Sequence, residues 1–206
     1  MTKKIKNGLF TESSPLHPNN PYSATKAAAD LLVQSAIRTY RLPAVIVRPC
    51  NNYGPWQYPE KFIPVILFKA LRNQKIPVYG NGKNIREWLY VDDCAKAVFR
   101  ILEKGRIGEI YNVSSGEERT NIEVVKSILK ILNKPLSLAA YVKDRPGHDL
   151  RYASNCEKLK KLGWTEDHVL ETGLEKTILW AEEHFKWIEK KAETLQHHWK
   201  TVYKRK

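Results

Sequence analysis

Tyr22 and Lys26 stand four residues apart in the run Asn20-Pro21-Tyr22-Ser23-Ala24-Thr25-Lys26. Asn20 is a good N-cap and Pro21 suits the first helical position, so the alanine-rich run from Tyr22 to Tyr40 is expected to be helical, with both side chains on one face. A fixed positive charge beside a phenol favours the phenolate, the form that takes up a proton. The pair is therefore a proton-transfer device. Tyr-x-x-x-Lys also arises by chance on many helices, so it acquires meaning only from a site built around it. No glycine-rich dinucleotide motif precedes it. That combination suggests half of a redox enzyme.

Several other polar residues suit a phosphorylated, hydroxylated ligand. Arg48, Asn51 and Asn52 leave a strand end; Tyr79, Gly80, Asn81 and Gly82 form a turn before Arg86; Arg145, His148 and Arg151 surround Pro146-Gly147. Arginine forks match diphosphates, and asparagine amides both donate to and accept from sugar hydroxyls. Each residue taken singly reads equally well as a turn residue or as an arginine held by a carboxylate. For Arg86 that second reading is a pairing with Glu87, Asp92 or Asp93.

The elements that must position these residues alternate between apolar β-branched runs and helix-period segments, the pattern of a parallel α/β protein. Strands are expected at 44–48, 76–79, 88–91, 109–113 and 139–142. Helices are expected at 22–40, 59–72, 92–104, 122–132, 155–162 and from Leu170 onward, with Asp92 and Asn121 as caps. The polar stretches 49–59, 80–84, 114–120 and 143–149 read as loops, where binding chemistry on an α/β scaffold is found. From Ala181 a four-three apolar spacing runs through Phe185, Ile188, Ala192, Leu195, Trp199 and Val202, an amphipathic seam suited to docking on the chain's own surface or to a weak helix dimer.

With 206 residues and 42% hydrophobic content the chain can bury a core and fits one or two domains. It carries 35 Lys and Arg against 22 Asp and Glu, a formal charge of +13, but these residues are scattered, which argues against a specific nucleic-acid partner. The three cysteines imply neither a disulfide framework nor a zinc site. No apolar run reaches the ~18 to 20 residues of a membrane span, and the N-terminal residues lack the apolar segment of a signal peptide, so a cytoplasmic protein with no membrane partner is expected.

Taken together and in order, the run from Asn20 to Asp30, Asn51-Asn52-Tyr53-Gly54-Pro55 through Pro59-Glu60-Lys61, Arg86-Glu87-Trp88-Leu89-Tyr90-Val91-Asp92-Asp93 and Asp144-Arg145-Pro146-Gly147-His148-Asp149 closely resemble the dTDP-glucose 4,6-dehydratases. These are extended short-chain dehydrogenase/reductase enzymes that act on nucleotide sugars. The resemblance runs from about Leu9 to Trp180. It implies that Tyr22 is the base on the sugar 4-hydroxyl, that Lys26 holds the nicotinamide ribose of NAD, that Asn52 lies beside the cofactor and that Asn51 lies on the substrate. It also implies a dTDP-sugar site made by Lys61, Phe62, Pro77, Val78, Tyr79, Arg86, Asn121, Asp144, Arg145, Pro146, Gly147 and His148, with Arg86 and Arg145 on the diphosphate.

The implied fold is α/β: a partial Rossmann-like parallel sheet lacking its N-terminal half, a small α/β substrate-binding domain and a long C-terminal helix. Residues 1–50 and 87–113 would be the remnant of the NAD-binding domain, 51–86 and 114–180 the nucleotide-sugar domain, and 181–206 the helix. The family's Gly-rich first turn, the acidic residue on the adenosine ribose and the Ser/Thr-Asp-Glu catalytic stretch have no counterpart here. The chain thus reads as a C-terminal portion, inactive without the missing N-terminal half, with the 22–40 helix or the C-terminal helix available for a homodimer.

Overall fold

The computed structural model describes residues 8–144 and 147–203, the side chains of 196–203 excepted. Helix α1 spans Pro21–Tyr40 and starts as expected: Asn20 Oδ1 accepts the Ser23 amide at 2.9 Å, and the proline ring sits where no backbone donor is needed. None of its residues is buried. It is pinned by a two-pronged ion pair, Arg48 Nε to Asp30 Oδ2 at 2.7 Å and Arg48 Nη2 to Asp30 Oδ1 at 3.0 Å.

The strands in chain order are β1 (Ile46–Pro49), β2 (Asn51–Tyr53), β3 (Ile76–Tyr79), β4 (Ile85–Tyr90), β5 (Ile110–Val113), β6 (Glu118–Thr120) and β7 (Ala139–Val142). The remaining helices are α2 (Phe62–Leu71), α3 (Val91–Lys104), α4 (Asn121–Ile131), α5 (Glu157–Lys160), α6 (Leu170–Glu183) and α7 (Phe185–Tyr203), and a 3₁₀ turn at Leu136–Leu138 leads into β7. Strand β1 lies parallel to β5, β2 parallel to β4, and β3 parallel to β7; β6 is antiparallel to β4. The α/β class with parallel pairing is therefore as expected.

Several boundaries differ, each for a local reason. Strands β2 and β6 fall in stretches expected to be loops. They are polar, Asn-Asn-Tyr and Glu-Arg-Thr, and are strands because β4 offers its two edges to them. Helix α2 starts at Phe62, not at Pro59, since Lys61 is still extended and closes a turn on the Tyr58 carbonyl. Asn121 does not cap α4: Thr120 does, in a capping box with Glu123, and Asn121 becomes the first helical residue. Asp92 likewise lies within the first turn of α3, after an N-cap at Tyr90. The expected 155–162 helix shrinks to α5. The C-terminal helix is two helices that break at His184, where Trp56, at φ 64°, sets its ring 5.0 Å from Trp180, 5.2 Å from His184 and 5.4 Å from Trp187.

Two apolar clusters form the interior. The larger joins α2, α4, α6 and α7 to β3 and one face of β4 through residues such as Ile63, Ile128, Leu174 and Ile188. The smaller joins α3 and β5 to Leu89, Leu159 and Trp164. Strand β4 serves both, with Trp88 and Tyr90 in the first and Leu89 in the second, as the two-residue period of a strand requires. Ala181, Ile188 and Ala192 lie in the larger cluster, so the C-terminal seam docks on the chain's own core up to that point. The Trp199 and Val202 side chains lie outside those described. Gly173 lets α6 come close: a Cβ there would lie 2.1 Å from the Tyr53 hydroxyl. No helix among the described residues is long and apolar enough to cross a membrane.

Candidate active site

Seven of the expected sugar-nucleotide residues line one cavity of about 400 Å³. Strand β2 supplies Asn51, the first turn of α2 supplies Phe62, and α4 opens on Asn121. Strand β3 supplies Pro77 and Tyr79, whereas the Val78 between them points into the core at 0% exposure, a direct result of strand alternation. Arg86 comes from β4 and His148 from the loop after β7. The volume falls in the range of small-molecule sites.

Arg86 is held firmly. It is buried, donates through Nη1 to the Ile85 carbonyl at 2.6 Å and through Nη2 to the Asp149 carbonyl at 2.8 Å, and its guanidinium lies 4.5 Å from the centre of the Tyr152 ring. Glu87 and Asp93 are engaged elsewhere, with Ser114 and Ser154 and with His168 respectively. The His148 ring meets Asp144 at 2.7 Å, which places Asp144 behind the cavity-lining imidazole and not in the wall itself. Gly147, at φ 68°, turns the chain beside Asn19. Lys61 pairs with Glu60 at 2.8 Å in solvent. Arg145 and Pro146 lie outside the described residues. The Gly80-Asn81-Gly82 turn joins β3 to β4, with the Gly82 amide on the Tyr79 carbonyl at 3.1 Å.

A second cavity, about 300 Å³, holds Tyr22 and Lys26 together with Ser23, Cys50, Glu87 and Tyr152. Asn51 lines both cavities, so the two adjoin. The Lys26 ammonium lies 5.8 Å from the centre of the Tyr22 ring, and Tyr22 as a residue is 71% exposed. Asn52 is in neither wall. Its amide donates to Cys94 Sγ at 3.3 Å, while its buried Oδ1 has no partner among the described residues. Arg48 lines this second cavity too, with its guanidinium held by Asp30 and the Glu12 carbonyl, the carboxylate-paired reading of the sequence.

Sequence reasoning missed Trp88 and Glu87, which flank the expected cavity residue Arg86 along β4: Trp88 shares its face, and Glu87 points the other way into the second cavity. A strand period of two would have found both. It also missed Lys69, Ala192 and Leu195, for which no local signal exists.

Two carboxyls give the site opposite pH slopes. Burial pushes the Asp30 carboxyl up, but the hydrogen bonds and charge of Arg48 outweigh it, so its pKa lies below the ordinary 3.8. Its stabilisation is present above that value and is lost as pH falls through the lower folded value. Burial pushes Glu87 above its ordinary 4.5 despite the Ser114 and Ser154 hydrogen bonds. Its contribution is present below pH 4.5 and is lost as pH rises through the higher folded value. Melting curves from pH 2 to 8 should therefore show Asp30→Asn losing about 2 kcal/mol at neutral pH and progressively less as pH falls below 3.8, with Glu87→Gln flattening the decline on the neutral side. A parallel offset at every pH would contradict both assignments.

The protein-family model for the NAD dependent epimerase/dehydratase family matches residues 3–114. The chain belongs to that family. Among family relatives, a dTDP-glucose 4,6-dehydratase of Escherichia coli is 46% identical over 191 residues, 87% of this chain and 53% of the relative. The low-salt glycan biosynthesis protein Agl12 of Haloferax volcanii is 48% identical over 175 residues, 85% of this chain and 56% of that one. The dTDP-glucose 4,6-dehydratase of Bacillus anthracis, solved in complex with NAD, superposes with a TM-score of 0.87 at 45% identity, covering 91% of this chain and 60% of that one. The enzyme of Streptomyces venezuelae, solved with NAD and a dTDP ligand, gives 0.89 at 42% identity, covering 91% and 59%. The chain spans about half the length of the curated relatives it matches.

Proposed function

We propose that this chain is the nucleotide-sugar-binding portion of a dTDP-glucose 4,6-dehydratase, an NAD-dependent lyase whose product is a 4-keto-6-deoxy sugar nucleotide. The observation that carries the reading is that seven residues matching the sugar-nucleotide contacts share one cavity, and that Asn51 joins it to the cavity holding Tyr22 and Lys26. A dTDP-sugar laid across that junction puts its diphosphate near Arg86 and His148 and its hexose near Tyr22. Tyr22 takes the proton of the 4-hydroxyl. Lys26 supplies positive charge beside the phenol and a donor for the nicotinamide ribose, Asn51 orients the hexose, and Asn52 braces the cofactor side.

The residues present fit one end of NAD. Tyr22, Lys26, Cys50 and Asn51 make a wall for the nicotinamide half, and Asn52, the next residue of β2, has a buried Oδ1 with no partner among the described residues. When bound, NAD supplies the hydride acceptor. The glycine pair of the chain links two strands and does not open a helix, so it offers no seat for the cofactor diphosphate. That seat, and the acid and base that remove water across C5 and C6, are assigned to a missing N-terminal half. The domain division proposed is 1–50 with 87–113 as the cofactor-domain remnant and 51–86 with 114–180 as the sugar-nucleotide domain; the two apolar clusters support it in part, with β4 serving both and Leu159 and Trp164 of the second segment packing into the smaller cluster.

The homodimer contact is assigned to α1 in preference to α7. Helix α7 commits Ile188 and Ala192 to its own core, whereas α1 presents Leu31 at 52%, Leu32 at 70% and Tyr40 at 80% exposure. Calorimetric titration of dTDP into the purified chain tests the central reading. Saturable one-to-one binding is expected, with weak or no NAD binding. A folded chain that ignores dTDP but binds duplex or single-stranded nucleic acid in a strongly salt-dependent way would overturn it.

A further inference from the structure

We infer that Asp149 is a positioning residue that carries the state of the diphosphate site to the start of α1, and so orients Tyr22 and Lys26; this rests on reading the first cavity as a nucleotide-sugar site. The two ends of Asp149 serve different parts of the molecule. Its backbone carbonyl accepts from Arg86 Nη2 at 2.8 Å and from the Asn84 side-chain amide at 3.1 Å, and Arg86 lines the first cavity. Its carboxylate accepts from the Asn19 side-chain amide at 3.2 Å through Oδ1 and from the Tyr152 hydroxyl through Oδ2. Asn19 immediately precedes Asn20, the cap of α1. The Tyr152 ring joins the two sides: its centre lies 4.5 Å from the Arg86 guanidinium, and it lines the second cavity together with Tyr22 and Ser23 of the first turn of α1.

Little else fixes this end of the helix. No residue of α1 is buried, and the Arg48–Asp30 pair grips it about two turns beyond Tyr22. The chain leading into α1 is instead laid along the segment that carries Asp149. The Phe10 amide donates to the Ala153 carbonyl at 2.9 Å, Arg151 Nη1 donates to the Gly8 carbonyl at 2.7 Å, and Gly147 turns the chain beside Asn19 and Asn20. A ligand shifts a local equilibrium only by binding one state better than the other. A diphosphate on Arg86 favours the state in which the Asp149 carbonyl and the Tyr152 ring hold that guanidinium, and in the same state the carboxylate grips Asn19 and the Tyr152 phenol. Occupancy of the first cavity therefore steadies the turn on which Tyr22 and Lys26 stand.

Amide hydrogen exchange of the wild type, Asp149→Ala and Asn19→Ala, each with and without saturating dTDP, reads this coupling, and calorimetry gives the dTDP affinity of each. Both substitutions keep the Asp149 carbonyl, so the bond to Arg86 is retained while the link to α1 is cut. In the wild type dTDP should slow exchange of the amides of residues 24–28 by about threefold to tenfold, the worth of a hydrogen bond. In both variants that slowing should fall below about twofold, while the β4 amides beside the ligand still slow on binding. Asn19 lines neither cavity, so Asn19→Ala should keep its dTDP affinity within about threefold of the wild type. Slowing at α1 that persists in Asp149→Ala, even with a lowered melting temperature, makes the residue merely structural and overturns the inference. Wild type that binds dTDP and slows at β4 but not at α1 overturns it too, and leaves the nucleotide reading standing. If Asp149→Ala does not fold, Asn19→Ala decides alone. Absence of dTDP binding in the wild type removes the reading and this inference together.

Discussion

Arg86→Ala is expected to weaken dTDP binding ten- to a hundredfold. A guanidinium fork on a diphosphate is a charge-assisted contact of about 1.5 to 3 kcal/mol when the site is preformed, and Arg86 is preformed by its bonds to two carbonyls and its place over the Tyr152 ring. The same bonds mean that the variant also melts earlier, because the Asp149 carbonyl loses a donor. Stability alone therefore does not discriminate. Arg86→Lys does, since an ammonium keeps the charge but loses the planar fork, so dTDP affinity should fall to an intermediate value. If Arg86 only braces the loop that carries Asp149, Arg86→Ala lowers the melting temperature and leaves dTDP affinity where it was.

The purified chain alone should convert no dTDP-glucose, and adding the N-terminal half of a related dehydratase should restore turnover. In the proposed reading Tyr22 and Lys26 serve proton removal at O4, but the chain offers no evident acid and base pair for loss of water, and a positioned acid or base contributes ~10² to 10⁴-fold each. The cofactor seat is also incomplete, so the loss should be total within detection. Chromatographic detection of a 4-keto-6-deoxy product from dTDP-glucose, first with the chain by itself and then with the added half, gives the answer. Robust turnover by the chain alone would sink the assignment of the missing chemistry to another segment.

Local chemistry was readable wherever it was truly local. Asn20 and Pro21 announced α1, and the apolar Ile76–Tyr79 and Ala139–Val142 runs marked β3 and β7 to the residue. Strands β2 and β6 were not readable, because nothing in Asn-Asn-Tyr or Glu-Arg-Thr encodes a strand until β4 lies alongside. The break at His184 was hidden by an apolar spacing that continues across it, and what enforces it is Trp56, more than a hundred residues earlier. The site shows the same division. Motif resemblance pointed to Asn51, Phe62, Tyr79, Arg86 and His148, which do share a cavity, but it could not separate Pro77 and Tyr79 in the wall from Val78 in the core. Ala192 and Leu195 resemble any other residues of an amphipathic seam, so only tertiary structure brings them to the cavity.

Tyr22 and Lys26 ride on a twenty-residue helix that buries none of its side chains. The Arg48–Asp30 ion pair is its main polar tether, and in the proposed reading, where Tyr22 is the base, a misplacement of about 1 Å can cost a hundredfold in rate. Whatever surface covers Leu31, Leu32 and Tyr40 therefore aims the base as well as hiding apolar area. If a second copy of the chain supplies that surface, as proposed, assembly and chemical competence are one equilibrium, and activity would depend on protein concentration.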